Sequence, residues 1–465
     1  MPECFCEGVF RLQKRGGPAE IDIHSSFADA SAARAAALKT SILYMFQAIK
    51  RDMREGRTLL LYGGTRILAY SFNFLIPIVL AVYFSAQTYG SFTLGMMVIY
   101  LFNATLVLPS GKPFIIYGHE EMFDSQKSNY TFTSRLILVV SATLMLAAVL
   151  VLFTPQIVQF TQLTATQTYF LLFVLMGKAF ENLVSSLFLV LNKRTLEAAF
   201  LLLSACLLML FLLLLCFLNA LSLKYVFLIY FLAPITAFLF FFKQIEFKKI
   251  LPLAFDKPTF FRITHFTKWM VFGGAATYFL NWGDNFVLRY FVSVAEIGVY
   301  NLGYQFFKGT LMMMSILKIY FLPFISQNIS NKAKISDFLR RKRLKLFAAG
   351  AFLLGLLFAA MPWIADVLFS AQYKDAVLIF RILCLGSLFS LYGLFYDPIF
   401  DSLKLYQYSQ SIVVACVVIN IALDFLLVGL FGYIGAAIAT TTAYFLLALA
   451  KEMLFRQNCR EKVLS

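Results

Sequence analysis

The sequence predicts an all-α polytopic membrane protein with about twelve transmembrane helices in two six-helix pseudo-repeated bundles, and three observations carry that prediction. The 465 residues are 61% hydrophobic and only 14% charged, with a mean hydropathy of +0.79. Soluble domains carry about 25% charged residues, so a water-soluble fold of this size is excluded. Charge clusters and Pro/Gly turns divide the chain into twelve apolar windows of roughly the 20 residues that a helix needs to cross about 30 Å of hydrocarbon. Finally, segments of the first half recur in the second half at a nearly constant offset.

Residues 1–57 are charged, Ala-rich at 28–37, and lack an apolar core long enough for a signal peptide. They read as a cytoplasmic tail with little structure and no cleavage site, or as the product of a start set too far upstream, with Met45 and Met53 as alternative starts. An N-terminal bundle, 58–243, takes helices at 59–83, 91–111, 136–153, 166–191, 196–218 and 225–242. A basic cytoplasmic linker, 244–268, follows. The C-terminal bundle, 269–455, takes helices at 269–292, 299–325, 346–369, 376–400, 408–430 and 433–450, and 456–465 is a short cytoplasmic tail. Only Phe431-Gly432-Tyr433 separates the last two helices.

The basic residues orient these helices. Lys plus Arg total 40 against 24 Asp plus Glu, a net charge of +16. In a membrane protein that excess collects in cytoplasmic loops and does not mark a nucleic-acid partner. Nine lie in the N-terminal tail, three in 112–135 (Lys112, Lys127, Arg135), two at Lys193 and Arg194, six in 243–268 and seven in 326–345, including Arg340-Arg341-Lys342-Arg343. Lys404 and the C-terminal tail add to the same side. The other side holds only Lys224 and Lys374, so both termini are expected in the cytoplasm.

The seven cysteines form no disulfide framework, because Cys206, Cys216, Cys384 and Cys416 lie in apolar runs and Cys4, Cys6 and Cys459 near the chain ends. Cys4-Phe5-Cys6 lacks the spacer and second pair of a zinc site. No metal and no cofactor are expected.

The internal repeat sets the architecture. Tyr62-Gly63-Gly64 recurs as Phe272-Gly273-Gly274, and Ser85-Ala86-Gln87-Thr88-Tyr89-Gly90-Ser91-Phe92 as Ser293-Val294-Ala295-Glu296-Ile297-Gly298-Val299-Tyr300, at offsets of 210 and 208. Pro155-Gln156-Ile157 recurs as Pro362-Trp363-Ile364. Halves of six helices start on the same side of the membrane, so they are parallel repeats, which in transporters rock about a central cavity.

Charges inside the membrane mark candidate sites, since each costs at least about 2.5 kcal/mol near the bilayer centre. They are Arg66, Lys178, Arg289, Lys308, Lys318 and Arg381, with Glu181, Asp284, Asp397 and Asp424 as acidic company. The positive excess suits an anionic cargo. Arg66, Tyr70, Asn73 and Pro77 share a stripe of helix 1, and Asn281, Asp284 and Asn285 a matching stripe of helix 7, with Asn73 and Asn281 equivalent under the repeat. Lys178, Glu181, Asn182 and Ser185 share a face of helix 4. Arg289, Lys318 and Arg381 lie near enough to helix ends to snorkel to the interface, and Lys178 and Glu181 could neutralise each other. Lys308 is the strongest single candidate, about nine residues or roughly 13 Å from the outer end of its helix and with no acid three or four residues away. Asn420 and Asp424, four apart on helix 11, either bind a coupling cation or tie helices together. Gly432, Gly435, Ala436 and Ala439 read as a packing stripe.

Several of these stretches resemble the polysaccharide flippases, the O-antigen or Wzx-type translocases of the multidrug/oligosaccharidyl-lipid/polysaccharide exporter superfamily. The resemblance rests on helix 1 with its exit Tyr89-Gly90-Ser91-Phe92, on Asp284-Asn285-Phe286-Val287-Leu288-Arg289 running into Ile297-Gly298-Val299-Tyr300, and on Pro362 through Ser370. Its most specific part is Asn420 to Asp424 followed by Gly432 to Thr440. It covers about residues 58–455. The resemblance implies a V-shaped, non-enzymatic carrier in the bacterial cytoplasmic (inner) membrane that moves undecaprenyl-pyrophosphate-linked sugar repeat units to the outer leaflet by alternating access. Its partners would be the lipid-linked oligosaccharide, membrane lipids and a polysaccharide polymerase. Asp284 matches the family's helix 7 pattern. The charge argument, not the resemblance, assigns cargo binding to Arg66, Asn73, Lys178, Asn281, Lys308 and Arg381, and ion coupling to Asp284 and Asp424.

Three rivals are weighed. A multidrug/cation antiporter would want a net-acidic cavity. A lipid II flippase has a similar cargo head group and is poorly separated by sequence. A polysaccharide polymerase or ligase would need reactive groups on outer loops, yet the longest outer loop, 154–165, carries no charge and His24, His119 and His265 are cytoplasmic and unclustered.

Overall fold

The computed structural model describes residues 61–458 apart from Ser330 and Lys404. Residues 1–57, the alternative starts, Cys4, Cys6, Cys459 and the last seven residues lie outside the described residues. Within the described part every element is helical, as expected where a backbone in hydrocarbon must satisfy its own N–H and C=O groups.

The helices are α1 (Leu61–Tyr83), α2 (Ala86–Phe102), α3 (Gly111–Ser125), α4 (Asn129–Leu152), the short α5 (Thr154–Thr161), α6 (Ala165–Val190), α7 (Arg194–Phe217) and α8 (Leu223–Phe241) in the first half. The second half contains α9 (Phe247–Ile250), α10 (Lys257–Phe291), α11 (Val294–Asn328), α12 (Lys332–Asp337), α13 (Arg343–Leu368), α14 (Asp375–Gly393), α15 (Tyr396–Ser402), α16 (Tyr406–Phe431) and α17 (Tyr433–Asn458). Among the described residues ten helices are long and apolar enough to cross a membrane. α10 and α11, each 35 residues long, also have the length to cross.

Local chemistry explains the repeated motif. Ser85 caps α2 by accepting from the Thr88 amide, and its counterpart Ser293 caps α11 by accepting from Glu296, whose carboxylate returns the bond to the Ser293 amide. The repeat therefore preserves a helix start. Gly432 at φ +60° supplies the left-handed residue needed to turn directly from α16 into α17.

Several boundaries differ from the sequence reading. Segment 112–135 is not a loop: a π-helical turn (Asn103–Val107) and a 3-10 turn (Leu108–Ser110) carry α2 directly into α3, and α4 starts at Asn129. Proline at 109 interrupts the hydrogen-bond ladder without ending the span, which hydropathy alone does not show. Arg135, read as a loop charge, is fully buried in α4. Asp256 accepts from the Thr259 amide and starts α10 at Lys257, inside the stretch read as linker. Lys451 lies within α17, buried, instead of in a tail. The helix read as 376–400 breaks after Gly393.

The core has a lopsided distribution. One large apolar cluster joins both halves at the end where α1 meets α2 and α10 meets α11. Towards the end bearing the basic segments, the halves have separate cores, one around Phe188 and Phe200 and one around Phe338 and Phe395. The cavity lies between them.

At the joined end α2 crosses α11 on the two glycines of the repeat. A Cβ on Gly90 would fall 2.0 Å from the Val294 carbonyl oxygen, and one on Gly298 would fall 2.1 Å from that of Ala86. Only glycine permits such an approach. Gln372 accepts from the Ala86 amide at 2.9 Å, and Tyr373 donates to the Phe84 carbonyl at 3.0 Å.

Candidate functional site

A cavity of about 630 Å³ runs in from the basic end, lined by Tyr100, Asn103, Lys112, Met270, Asn281, Trp282, Lys308 and Gln410 among others. It meets a second chamber of about 210 Å³, lined by Asn73, Pro77, Thr93, Asn301 and Gln305. Tyr100, Trp282 and Lys308 line both chambers, and the Tyr100 and Trp282 rings lie 5.5 Å apart. Among the described residues neither wall contains an Asp or Glu. Gly274 brings α10 against the π-helical turn, where a Cβ would fall 2.3 Å from the Ala104 carbonyl oxygen.

Lys308 is the charge at this junction. It lies 14 residues into α11, about 21 Å along the axis, deeper than the sequence boundary gave. Its ammonium sits 3.9 Å from the Trp282 ring centre and 4.9 Å from that of Tyr304. Ring faces stabilise a desolvated cation while leaving its N–H groups available. No described carboxylate pairs with it. Asn73 and Asn281, equivalent under the repeat, line the two chambers on either side of it.

The other intramembrane cations are engaged elsewhere. Arg66 pairs at 2.7 Å with the fully buried Glu197 of α7, which also accepts from Ser185. Lys178 pairs at 2.7 Å with Glu181, which accepts from Ser204, and lies 5.7 Å from the Tyr230 ring centre. Asn182 accepts from Arg135, whose other terminal nitrogen donates to the Val107 carbonyl of the π-helical turn at 2.9 Å. The polar face of helix 4 therefore faces α4 and α7 within the first half and lines neither chamber. Lys318 and Lys451 both bind Asp397, at 3.0 and 2.7 Å. Arg289 donates to the Gln159 and Phe160 carbonyls. Arg381 lies in a separate cleft between α13 and α14.

The helix 7 stripe also divides. Asn281 faces the cavity, whereas Asp284 and Asn285 face into the second half, because α10 runs between the cavity and α16. Asp284 accepts from Tyr300, from Asn420 at 2.8 Å and from Thr440 at 2.7 Å, and Asn420 also donates to Asp424 at 3.2 Å. One oxygen each of Asn420 and Asp424 is buried without a hydrogen-bond partner. Two neighbouring buried carboxyls cannot both remain uncompensated anions. This cluster needs a proton or a cation. Among the described residues no group of three His, Cys, Asp or Glu side chains could hold a metal ion.

Sequence reasoning missed Glu197, Arg135 and Lys112. Glu197 follows Arg194 at a helix start and looks like an ordinary first-turn acid. Arg135 and Lys112 were hidden by the misplaced loop.

The sequence matches no protein-family model and no curated protein. The fold is similar to that of solved transporters. An inward-facing multidrug resistance MATE family transporter of the MOP superfamily aligns with a TM-score of 0.65 at 13% identity, over 87% of this chain and 95% of that one. The lipid II flippase MurJ, in an inward closed conformation, aligns at 0.65 and 17% identity over 87% and 88%. A MOP superfamily transporter from Pyrococcus furiosus, described as having a binding pocket of reverse polarity, aligns at 0.60 and 11% over 87% and 95%. The chain therefore has a fold like that of these MOP-superfamily transporters and, with its ten membrane-length apolar helices among the described residues, is a multi-pass membrane protein.

Proposed function

We propose that this transporter flips a polyprenyl-pyrophosphate-linked saccharide from the cytoplasmic to the outer leaflet. The observation that carries the reading is the charge of the cavity: among the described residues its wall holds Lys112 and Lys308 and no acid. That favours an anionic head group over the organic cations of a multidrug antiporter. In this reading α10 and α11 also cross the membrane, giving two bundles of six, and the basic end and both termini are cytoplasmic. The diphosphate enters past Lys112 and rests against Lys308 between Asn73 and Asn281, while the prenyl tail stays in the bilayer. Arg66 and Lys178, already paired, set the field behind the cavity wall.

Asp284 and Asp424, with Asn420 and Thr440, form the coupling site. Filling it with a proton or a monovalent cation changes the charge beside α10 and α11, the helices that also present Asn281 and Lys308. Direction then comes from differential affinity of that ion for the two states.

Both an undecaprenyl-linked oligosaccharide repeat unit and lipid II carry the pyrophosphate, and the similarity to the lipid II flippase favours the second cargo. Proteoliposomes separate them. Purified protein should translocate one of the two lipids, and Lys308→Ala should abolish that transport at equal reconstitution. Transport of an organic cation and of neither lipid would refute the proposal.

A further inference from the structure

The charged groups of the α13–α14 cleft are not used by the cavity or by the ion cluster. Pro362 lies within α13 and has no N–H, so the carbonyl of Phe358 one turn earlier loses its helical donor. Arg381 of α14 replaces it, with its Nε 3.4 Å from that oxygen and its guanidinium 4.8 Å from the Phe358 ring centre. The arginine is thus held by one edge. Among the described residues its two terminal nitrogens have no hydrogen-bond or ion-pair partner.

Those nitrogens belong to a cleft of about 420 Å³ that also takes in Asp366, Ser370 and Lys374. Among the described residues the three charged groups form no ion pair with one another or with any neighbour. Two cations and one carboxylate left unpaired in one cleft beside the bilayer call for a ligand with the complementary charges. α13 packs mainly against α14. Its other faces carry exposed apolar side chains, Trp363 at 75% and Val367 at 82% exposure, and tryptophan marks head-group depth.

We infer that this cleft binds the head group of an aminophospholipid, with its phosphate on Arg381 and Lys374, its ammonium on Asp366, and its acyl chains along α13. A guanidinium fixed at one edge offers its remaining N–H pair to phosphate oxygens in fixed geometry. The placement in the outer leaflet rests on the orientation proposed above; the head-group recognition does not.

Native mass spectrometry of delipidated protein tests it. With phosphatidylethanolamine, phosphatidylglycerol and phosphatidylcholine offered at equal concentration, the wild type should retain phosphatidylethanolamine preferentially. Arg381→Gln should lower that retention at least about tenfold, given the two charge-assisted hydrogen bonds it removes. Lys374→Gln, an exposed change that leaves packing intact, should lower it several-fold, and Asp366→Asn should remove the preference for ethanolamine over glycerol head groups. Equal retention of all three lipids, or unchanged retention in Arg381→Gln at an unchanged unfolding midpoint, would overturn the site. Displacement by undecaprenyl pyrophosphate at equal concentration would reassign it to the cargo. Labelling of Ser370→Cys in intact cells by an impermeant maleimide checks the leaflet separately, so an inward-facing result would overturn the orientation and leave the lipid result standing.

Discussion

Replacing Gly90 or Gly298 by alanine should push the protein out of the conformation described above. Each added Cβ would land 2.0 or 2.1 Å from a carbonyl oxygen of the opposite helix. Real contacts need about 3 Å or more, so α2 and α11 must part by roughly 1 Å, and neither oxygen can rotate away because both belong to helix backbone. Overpacking of this kind costs about 1–3 kcal/mol, and 1.4 kcal/mol is tenfold in an equilibrium constant. The state closed at the joined end should therefore lose about 5- to 150-fold in population against the state open there. The sign is diagnostic, because Gly→Ala in a helix otherwise stabilises by up to about 1 kcal/mol. The assay is the rate at which an impermeant maleimide, added from the outer side, labels Asn301→Cys in the inner chamber of a cysteine-free background. Labelling should rise in Gly90→Ala, rise in Gly298→Ala, and stay flat in Gly355→Ala, where an added Cβ meets nothing within 4 Å. Unchanged labelling in both crossing variants would refute the gate.

Other expectations follow from the same geometry. Glu197→Ala should lower the unfolding midpoint, losing up to about 3 kcal/mol because it strands Arg66, and Arg66→Ala should restore part of it; an additive double variant would show that the pair is not coupled. Asp424→Asn should fold normally yet make transport insensitive to an imposed ion or proton gradient, whereas retained gradient dependence would remove Asp424 from the coupling site. Gly274→Ala, with its Cβ 2.3 Å from the Ala104 oxygen, should lift α10 off the π-helical turn. A cross-link between cysteines placed at Ala104 and Met270 should report it as a loss of yield.

Much of the fold is visible in the sequence because the solvent is simple. In hydrocarbon, apolar length alone forces a helix, and α6, α7, α13 and α16 begin and end within three residues of their expected positions. The repeat was legible because its motif does two local jobs, a serine cap and a glycine crossing, each intolerant of substitution. What hydropathy could not see was chain that stays helical across a polar stretch. The stretch from Lys112 to Arg135 looked like a loop, yet α3 and α4 run through it and Arg135 donates to the Val107 carbonyl. The site was legible in part for the same reason. Lys308 stood out because no acid shared its helix face, and among the described residues no carboxylate of another helix comes within ion-pair distance of it, although Asp284 of α10 is near enough to act on its charge. Arg66 also stood out, but its partner Glu197 lies 131 residues away, a pairing that no periodicity encodes. Asp284 and Asp424 were each visible as intramembrane acids; that Asn420 bonds to both required the α10–α16 packing.

The central claim is that Lys308 receives an anionic, lipid-anchored head group, and the leaflet distribution of that lipid tests it most directly. In cells lacking this protein, an impermeant enzyme or lectin applied to spheroplasts reports which leaflet holds the undecaprenyl-linked saccharide. The account predicts accumulation on the cytoplasmic side, relieved by the wild type and not by Lys308→Ala expressed at the same level. Normal outer exposure without the protein, or full relief by Lys308→Ala, would contradict it.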